Sequence, residues 1–388
     1  MSCKEIFTKI EDLHEAYVSV WTDIGNIESP TDNKAGVDAV GAYLARHATA
    51  RGWRVKRLAQ AVSGDVIDIT MNPAAEGAPV VLSGHMDTVY PIGSFGTPAV
   101  RREGDRLCGP GVTDCKGGIV AGLLAMEALE QCGYRARPVR LLLQSDEETG
   151  SKGSDKATIR YICERAKDAV AFFNLERHAE GEACLARKGI LTFTFTVHGK
   201  EAHASACATQ GSNAILEAAH KIIEIERYKD DGGLTCCCST VTGGTAVNTV
   251  AGECRFTVNV RFSTAAEEAW VKEEMQRIAA DVHVEGCHTE VAITSHRVAM
   301  EYTERGAALL ARVNEALSAA GLGTLRASRR KGGSDAADVT AYGIPCLDSL
   351  GVCGEHIHSP AEWADIGSLT VAAKRLACMI VGLDAPEA

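Results

Sequence analysis

The chain has 388 residues, 46% hydrophobic and 23% charged, a soluble globular composition long enough that two domains are the first expectation. A formal charge of -11 argues against nucleic acid and anionic membranes as partners. No apolar run approaches the ~20 residues of a membrane helix, and the first ten residues, with Lys4, Glu5 and Lys9, do not read as a secretory signal, so the expected compartment is the cytoplasm.

In chain order, Glu5–Ile24 carries apolar residues at helical spacing, and a second helix capped by Asp32 or Asn33 is expected over Ala35–Ala50. Trp53–Leu58 and Asp65–Thr70 alternate like strands. The run Val80-Val81-Leu82-Ser83-Gly84-His85, preceded by Pro79, reads as a short buried strand that emits His85-x-Asp87 at its carboxyl end. A long apolar helix, Gly117–Gln131, follows. Then come a buried strand (Val139–Ser145), a helix (Asp155–Ala166) and a third apolar strand (Ala169–Asn174). Strands alternating with helices predict an α/β domain with a mainly parallel sheet covered on both faces.

The pattern changes after Lys188. Gly189–Val197 alternates apolar and hydroxyl residues almost strictly. Helix Ser212–Tyr228, strands Leu234–Thr242 and Cys254–Phe262, helix Ala265–Ala280 and strand Glu290–Ser295 complete a βαββαβ, ferredoxin-like order. The α/β character returns with helix Glu304–Ala320, a short strand near Leu325, strand Pro345–Leu350 and a last helix from Ile366. The expected organisation is therefore a domain of residues 1–187 and 299–388 interrupted by an inserted domain, 188–298. The fifteen cysteines read as reduced thiols, and Cys236-Cys237-Cys238 is a poor tetrahedral ligand set, because neighbours on a strand point to opposite faces.

Ligand-type residues collect at the strand ends. Asp114 lies in the loop Gly109-Pro110-Gly111-Val112-Thr113-Asp114 just before a helix. Glu147 and Glu148 follow Val139–Ser145, Glu176 follows Ala169–Asn174, and His358 lies in Glu355-His356-Ile357-His358-Ser359-Pro360. In a parallel sheet the carboxyl ends share one edge, where ligands bind. A solvated loop carboxylate is the ordinary fate of Asp and Glu. Three successive strands each ending in such a residue weigh against that fate here. Two imidazoles and three carboxylates suit two divalent ions, which carboxylates can bridge. A water between two such ions loses its proton near neutral pH, and a neighbouring carboxylate can pass that proton to a leaving amine.

The segments Gly84-His85-Met86-Asp87-Thr88-Val89, Gly109-Pro110-Gly111-x-x-Asp114-x-Lys116-Gly117-Gly118 and Asp146-Glu147-Glu148-x-Gly150-Ser151 resemble the dinuclear zinc exopeptidase and deacylase family. That family holds glutamate carboxypeptidase, acetylornithine deacetylase and succinyl-diaminopimelate desuccinylase. The likeness runs from about Asp32 to the end, nearest to the glutamate carboxypeptidase type. It implies that His85, Asp114 and Glu176 hold one zinc and that Asp114, Glu148 and His358 hold the other, with cobalt or manganese as alternative metals. It further implies that Asp87 orients His85, that Glu147 is the general base, and that the Asp114–Cys115 peptide is cis. In the inserted domain it implies an oxyanion-stabilising role for His203, reaching the neighbouring subunit of a homodimer. Asn248 and Arg261 would lie near substrate, Arg297 would grip a substrate carboxylate, and Gly333 in Gly332-Gly333-Ser334-Asp335-Ala336 would offer its N–H to the same group. Two departures stand out: Arg177 follows Glu176 where many relatives have proline, and Cys115 stands where a second Asp is frequent. The expected activity is cleavage of an amide bond in a small peptide or N-acyl amino acid with a free carboxylate. A narrow deacylase, or a silent binding protein of the same fold, are the alternatives.

Overall fold

The computed structural model describes residues 2–230 and 233–384. The chain divides into two compact units. One comprises Met1–Leu185, Tyr302–Arg329 and Ser334–Ala388; the other comprises Ala186–Glu301 and Arg330–Gly333.

The first unit is built on a six-stranded sheet in the order Arg54–Leu58, Val66–Met71, Val139–Gln144, Val80–His85, Ala171–Asn174, Cys346–Leu347. The last four strands run parallel; Val66–Met71 is antiparallel to both of its neighbours. The fold is thus mixed α/β with a mostly parallel central sheet. The organising strand, Val80–His85, is buried along its length and flanked on both sides by parallel partners. Helix Lys116–Gln131 packs across it and against helices Cys3–Asn26 and Ile366–Gly382. That position explains why apolar residues surround the Lys116–Gln131 helix instead of forming one stripe. The Cys3–Asn26 helix starts at a reciprocal cap, in which Ser2 accepts the Glu5 N–H and the Glu5 carboxylate accepts the Ser2 N–H.

Val66–Met71 is buried on both faces, although Asp68 and Thr70 lend it the alternation of a strand with one wet face. Asp68 is buried because Arg165 and Tyr161 supply hydrogen bonds at 2.7 and 3.0 Å. A small antiparallel sheet, which the sequence pattern did not reveal, orders Gly354–Glu355, Trp363–Asp365, Arg106–Cys108 and Arg101–Glu103. Its strands are two or three residues long, too short for periodicity to register.

The second unit has the order strand Gly189–His198, helix Ala214–Ile225, strands Thr235–Gly243 and Glu253–Phe262, helix Ala265–Ala280, strand His288–Arg297. Its antiparallel sheet runs Thr235–Gly243, Glu253–Phe262, Gly189–His198, His288–Arg297. Leu191, Phe193, Phe195 and Val197 join Phe256, Val258 and Val260 in a core with both helices. The alternate residues, Thr192, Thr194 and Thr196 among them, lie on the opposite face. Arg330–Gly333 also belongs to this unit, which moves Gly333 out of the larger domain expected for it.

Candidate metal centre

Three parallel strand ends deliver the acidic groups. Val80–His85 ends in His85 with Asp87 two residues on; Val139–Gln144 leads into the short turn Glu147–Thr149; Ala171–Asn174 leads to Glu176. Asp114 comes from the loop ahead of helix Lys116–Gln131, and His358 from the loop between Gly354–Glu355 and Trp363–Asp365. The small sheet brings these last two loops together, with the Gly109 N–H donating to the Glu362 carbonyl at 3.2 Å.

The five residues form two trios with Asp114 in common: His85, Asp114 and Glu176, and Asp114, Glu148 and His358. In each trio one ligand atom per residue lies within 4.8 Å of the others. The two oxygens of Asp114 face different ways. Oδ1 is 3.1 Å from His85 Nε2, and Oδ2 is 3.3 Å from His358 Nε2. His85 Nε2 is also 3.7 Å from Glu176, and His358 Nε2 is 3.2 Å from Glu148. The Asp114–Cys115 peptide is cis, and His356 and His358 both have left-handed backbones, with φ of 59° and 60°.

The electrostatics fit a pair of cations. Burial pushes the Glu148 carboxyl up to about 7, helped by the charges of Asp114 and Glu147 and opposed by the His358 bond. Bonds from Asp114 and Glu148 raise His358 to about 10 against the effect of its burial. Burial also opposes the charge on Asp114, yet the two imidazoles hold its carboxyl far below the usual range. Three carboxylates crowded around two imidazoles, buried at His85 and Asp114 and exposed at His358, are a donor set that divalent ions complete.

Asp87 holds more than one neighbour. His85 Nδ1 donates to the main-chain carbonyl of Asp87 at 3.0 Å, with the carboxylate 3.5 Å away, which leaves Nε2 turned to Asp114. The Asp87 carboxylate also accepts the N–H groups of Glu147 and Glu148 at 3.2 and 3.1 Å and the Thr31 hydroxyl at 2.8 Å. One buried side chain therefore ties the His85 strand end to the paired glutamates. Burial works against the charge of Asp87, but the bonds from His85, Thr31 and Glu148 prevail and lower its pKa.

Two supports escaped the sequence reading. Glu362 is buried and accepts the N–H groups of Gly111, Thr113 and Asp114 at 3.0, 2.8 and 3.0 Å. Burial, with the nearby charge of Asp114, pushes its carboxyl up to about 7. The only sequence signal was its place four residues after His358, where a glutamate ordinarily reads as solvated. The second support is Arg177. Its Nε donates to the Gly354 carbonyl at 2.7 Å and so links the Glu176 loop to the segment that carries His358. The same loop is held by bonds from the Gly351 N–H to the Glu176 carbonyl and from the His178 N–H to the Val352 carbonyl, each 2.9 Å. A side chain at Gly118 would lie 2.0 Å from the Leu175 carbonyl, so glycine there allows helix Lys116–Gln131 to start against the residue next to Glu176.

The remaining candidates lie in the second unit. Arg261 and Arg297 are both register partners of Ile190 and share the face away from the helices. Gly333 lies against Arg297: a Cβ there would be 2.9 Å from the Arg297 Cδ. Lys188, Thr235, Arg261, Lys331 and Gly332 line a cavity of about 430 Å³. Burial and the charge of Arg297 both lower the pKa of Arg261, the mark of a crowded basic site. His203 and Asn248 are elsewhere in the unit. His203 is exposed, with its Nδ1 2.8 Å from the Ser205 hydroxyl, and Asn248 accepts the Ala204 N–H through its carbonyl at 2.8 Å.

The model of peptidase family M20/M25/M40 matches residues 81–381. The chain belongs to that family. Among known members and relatives, carboxypeptidase G2 of Pseudomonas sp. (strain RS-16) is 29% identical over 372 residues, which covers 94% of this chain and 88% of that one. Succinyl-diaminopimelate desuccinylase of Gluconobacter oxydans (strain 621H) is 26% identical over 306 residues, covering 74% of this chain and 77% of its own. The M20/M25/M40 fold is also that of aminopeptidase PepT from Bacillus cereus ATCC 10987, at a TM-score of 0.81 and 21% identity over 95% of this chain and 98% of that one. This M20/M25/M40 chain is accordingly a hydrolase of the peptidase and amidohydrolase class, as its relatives are.

Proposed function

We propose that the protein is a dinuclear metallohydrolase that cleaves the amide bond of a small peptide or N-acyl amino acid bearing a free carboxyl terminus. The observation that carries this reading is the division of Asp114: each carboxylate oxygen faces a separate imidazole, and each imidazole has its own second carboxylate. His85, Asp114 and Glu176 would hold one divalent ion, and Asp114, Glu148 and His358 the other, zinc being the first choice for this set of imidazoles and carboxylates. Bound ions would acidify water and polarise the scissile carbonyl.

In this reading Glu147 is the general base. It is buried beside the ligand Glu148, and Asp87 fixes both main-chain N–H groups, so one side chain can serve the metals while the other serves the proton. Glu147 would receive the proton of the attacking water and return it to the leaving amine. Arg297, with Arg261 and Gly333 close by, would bind the substrate carboxylate, a task that suits a planar guanidinium.

His203 would donate to the developing oxyanion, with Asn248 alongside. Its placement within the second unit favours a two-fold dimer. Arg297 pairs at Ile190, near one end of strand Gly189–His198, whereas His203 lies past the other end, where it pairs with Thr249. Eight residue steps along the strand separate Ile190 from His198, a span of ~26 Å, so one copy of this unit does not bring Arg297 and His203 to one small substrate. A partner copy supplying His203 would. Of the two edge strands, Thr235–Gly243 already donates its Cys236 and Cys238 N–H groups to Tyr228 and Glu226, so among the described residues His288–Arg297 is the edge better placed for such pairing. We place the enzyme in the cytoplasm: all fifteen cysteines are free thiols, and among the described residues no helix is long and apolar enough to cross a membrane.

A narrow N-acyl-amino-acid deacylase uses the same centre and differs only in the acyl group accepted. The test of both readings is a mass-spectrometric screen of dipeptides and N-acyl amino acids with zinc-loaded protein. Release of a carboxyl-terminal amino acid from several peptides supports the carboxypeptidase reading, and release from a single acyl donor supports the deacylase. Turnover of none of them would contradict the proposal.

A further inference from the structure

The second unit carries a cluster that the proposed reaction does not use. Glu253, His198 and His288 stand in one row across three neighbouring strands, with Glu253 the register partner of His198 on one side and His288 on the other. Glu290, two residues beyond His288, lies on the same face of the sheet. The two imidazole rings stack with centroids 4.7 Å apart and 19° between their planes. One ligand atom each from His198, His288 and Glu290 lies within 4.8 Å of the others, and Glu253 Oε2 is 3.9 Å from His198 Nδ1.

We infer that His198, His288 and Glu290 form a site for one further divalent transition-metal ion, zinc, nickel or copper(II), with Glu253 in reach of a fourth position. The register carries the argument. Residues directly opposite on antiparallel strands keep their Cβ atoms ~4.5–5.5 Å apart, so the backbone holds both imidazoles at chelating range. With metal–nitrogen bonds of ~2.0–2.1 Å, an ion between them asks for ring rotation and no movement of strand. Two imidazoles with carboxylates are the ligands of zinc, nickel and copper, whereas magnesium and calcium favour oxygen alone. Removing one imidazole would leave a single nitrogen ligand and weaken binding sharply. The ion would fasten the edge strand His288–Arg297 to Gly189–His198 at the end of the sheet.

The test counts metal in the full-length protein equilibrated with micromolar free zinc and then desalted, beside the His198→Ala/His288→Ala double variant and the single variant His288→Asn. The readout is the difference between proteins, so it does not depend on how many ions the main centre holds. The parent should carry one ion more per chain than the double variant, and His288→Asn should bind that ion at least ~10-fold more weakly, the lower end of losses seen when a metal site is disturbed. Copper(II) bound at this site in the parent should show two coupled nitrogens by electron paramagnetic resonance, and one in His288→Asn. Both histidines are outside the core, so circular dichroism in chelator should not distinguish the three proteins. Equal metal counts in the parent and both variants would overturn the inference, as would a copper spectrum that His288→Asn leaves unchanged.

Discussion

Glu362 accepts a hydrogen bond from the main-chain N–H of Asp114 at 3.0 Å, and so fixes the residue that both ligand trios share. The same carboxylate takes the N–H groups of Gly111 and Thr113, so the whole turn ahead of helix Lys116–Gln131 is shaped around one buried side chain. With Asp114 as the proposed shared ligand, Glu362 would act as a positioning residue for the metal centre.

Glu362→Ala should therefore loosen metal without touching a ligand. Supports of this kind are worth ~10–100-fold in metal affinity, and each buried N–H left without an acceptor costs about 1–3 kcal/mol. Dialysis against a graded chelator should release metal from the variant first, and its Tm should fall. Glu362→Gln, which keeps an acceptor oxygen, should recover part of both losses. Retention equal to the parent's would show that the turn holds itself.

Glu147→Gln keeps the shape of the side chain and removes the proton acceptor. We expect kcat to fall by at least ~10², the scale of acid–base catalysis, with metal content unchanged. Glu148→Gln should instead lose metal. The reverse pattern would exchange the two roles.

Arg297→Ala should discriminate between substrates. Losing a charge-assisted bond of about 1.5–3 kcal/mol would lower kcat/KM for free carboxylates by ~10–100-fold, and far less for their amides. An equal loss for both would mean that Arg297 supports only the sheet.

Much of this was legible in the sequence, for reasons that individual residues make plain. The run Val80–His85 is apolar and short, so its burial between parallel neighbours follows from its pattern. The alternation of Gly189–His198 fixed which residues face the helices. What escaped were features made by tertiary partners. The burial of Asp68 is not written in its own strand, where nothing announces Arg165. The role of Glu362 is invisible locally because its three donors lie about 250 residues away. Arg177 stands where the resemblance led one to expect proline, and its bond to Gly354 anchors the Glu176 loop. The expected strand Pro345–Leu350 shrank to Cys346–Leu347, and the expected strand Glu290–Ser295 grew to His288–Arg297, taking Arg297 into the sheet. Arg330–Gly333 joined the second unit across a long stretch of sequence, which no local pattern encodes.

The dimer proposal calls for complementation. Glu147→Gln and His203→Ala should each be inactive, the second by roughly 10²–10³ as when an oxyanion donor is lost. Mixed and allowed to exchange subunits, they should form hybrids with one intact site, and activity should return to a fraction of the parent's. No recovery after proven exchange would place His203 in its own chain's site or outside catalysis.

The central claim is that Asp114 is shared by two ions, and a metal count per chain tests it most directly. Protein purified without chelator and loaded with zinc should carry two ions at this centre, His85→Ala and His358→Ala should each lower the count, and Asp114→Ala should lower it further than either. A count that Asp114→Ala leaves unchanged, or that falls no further than in the single histidine variants, would contradict the account.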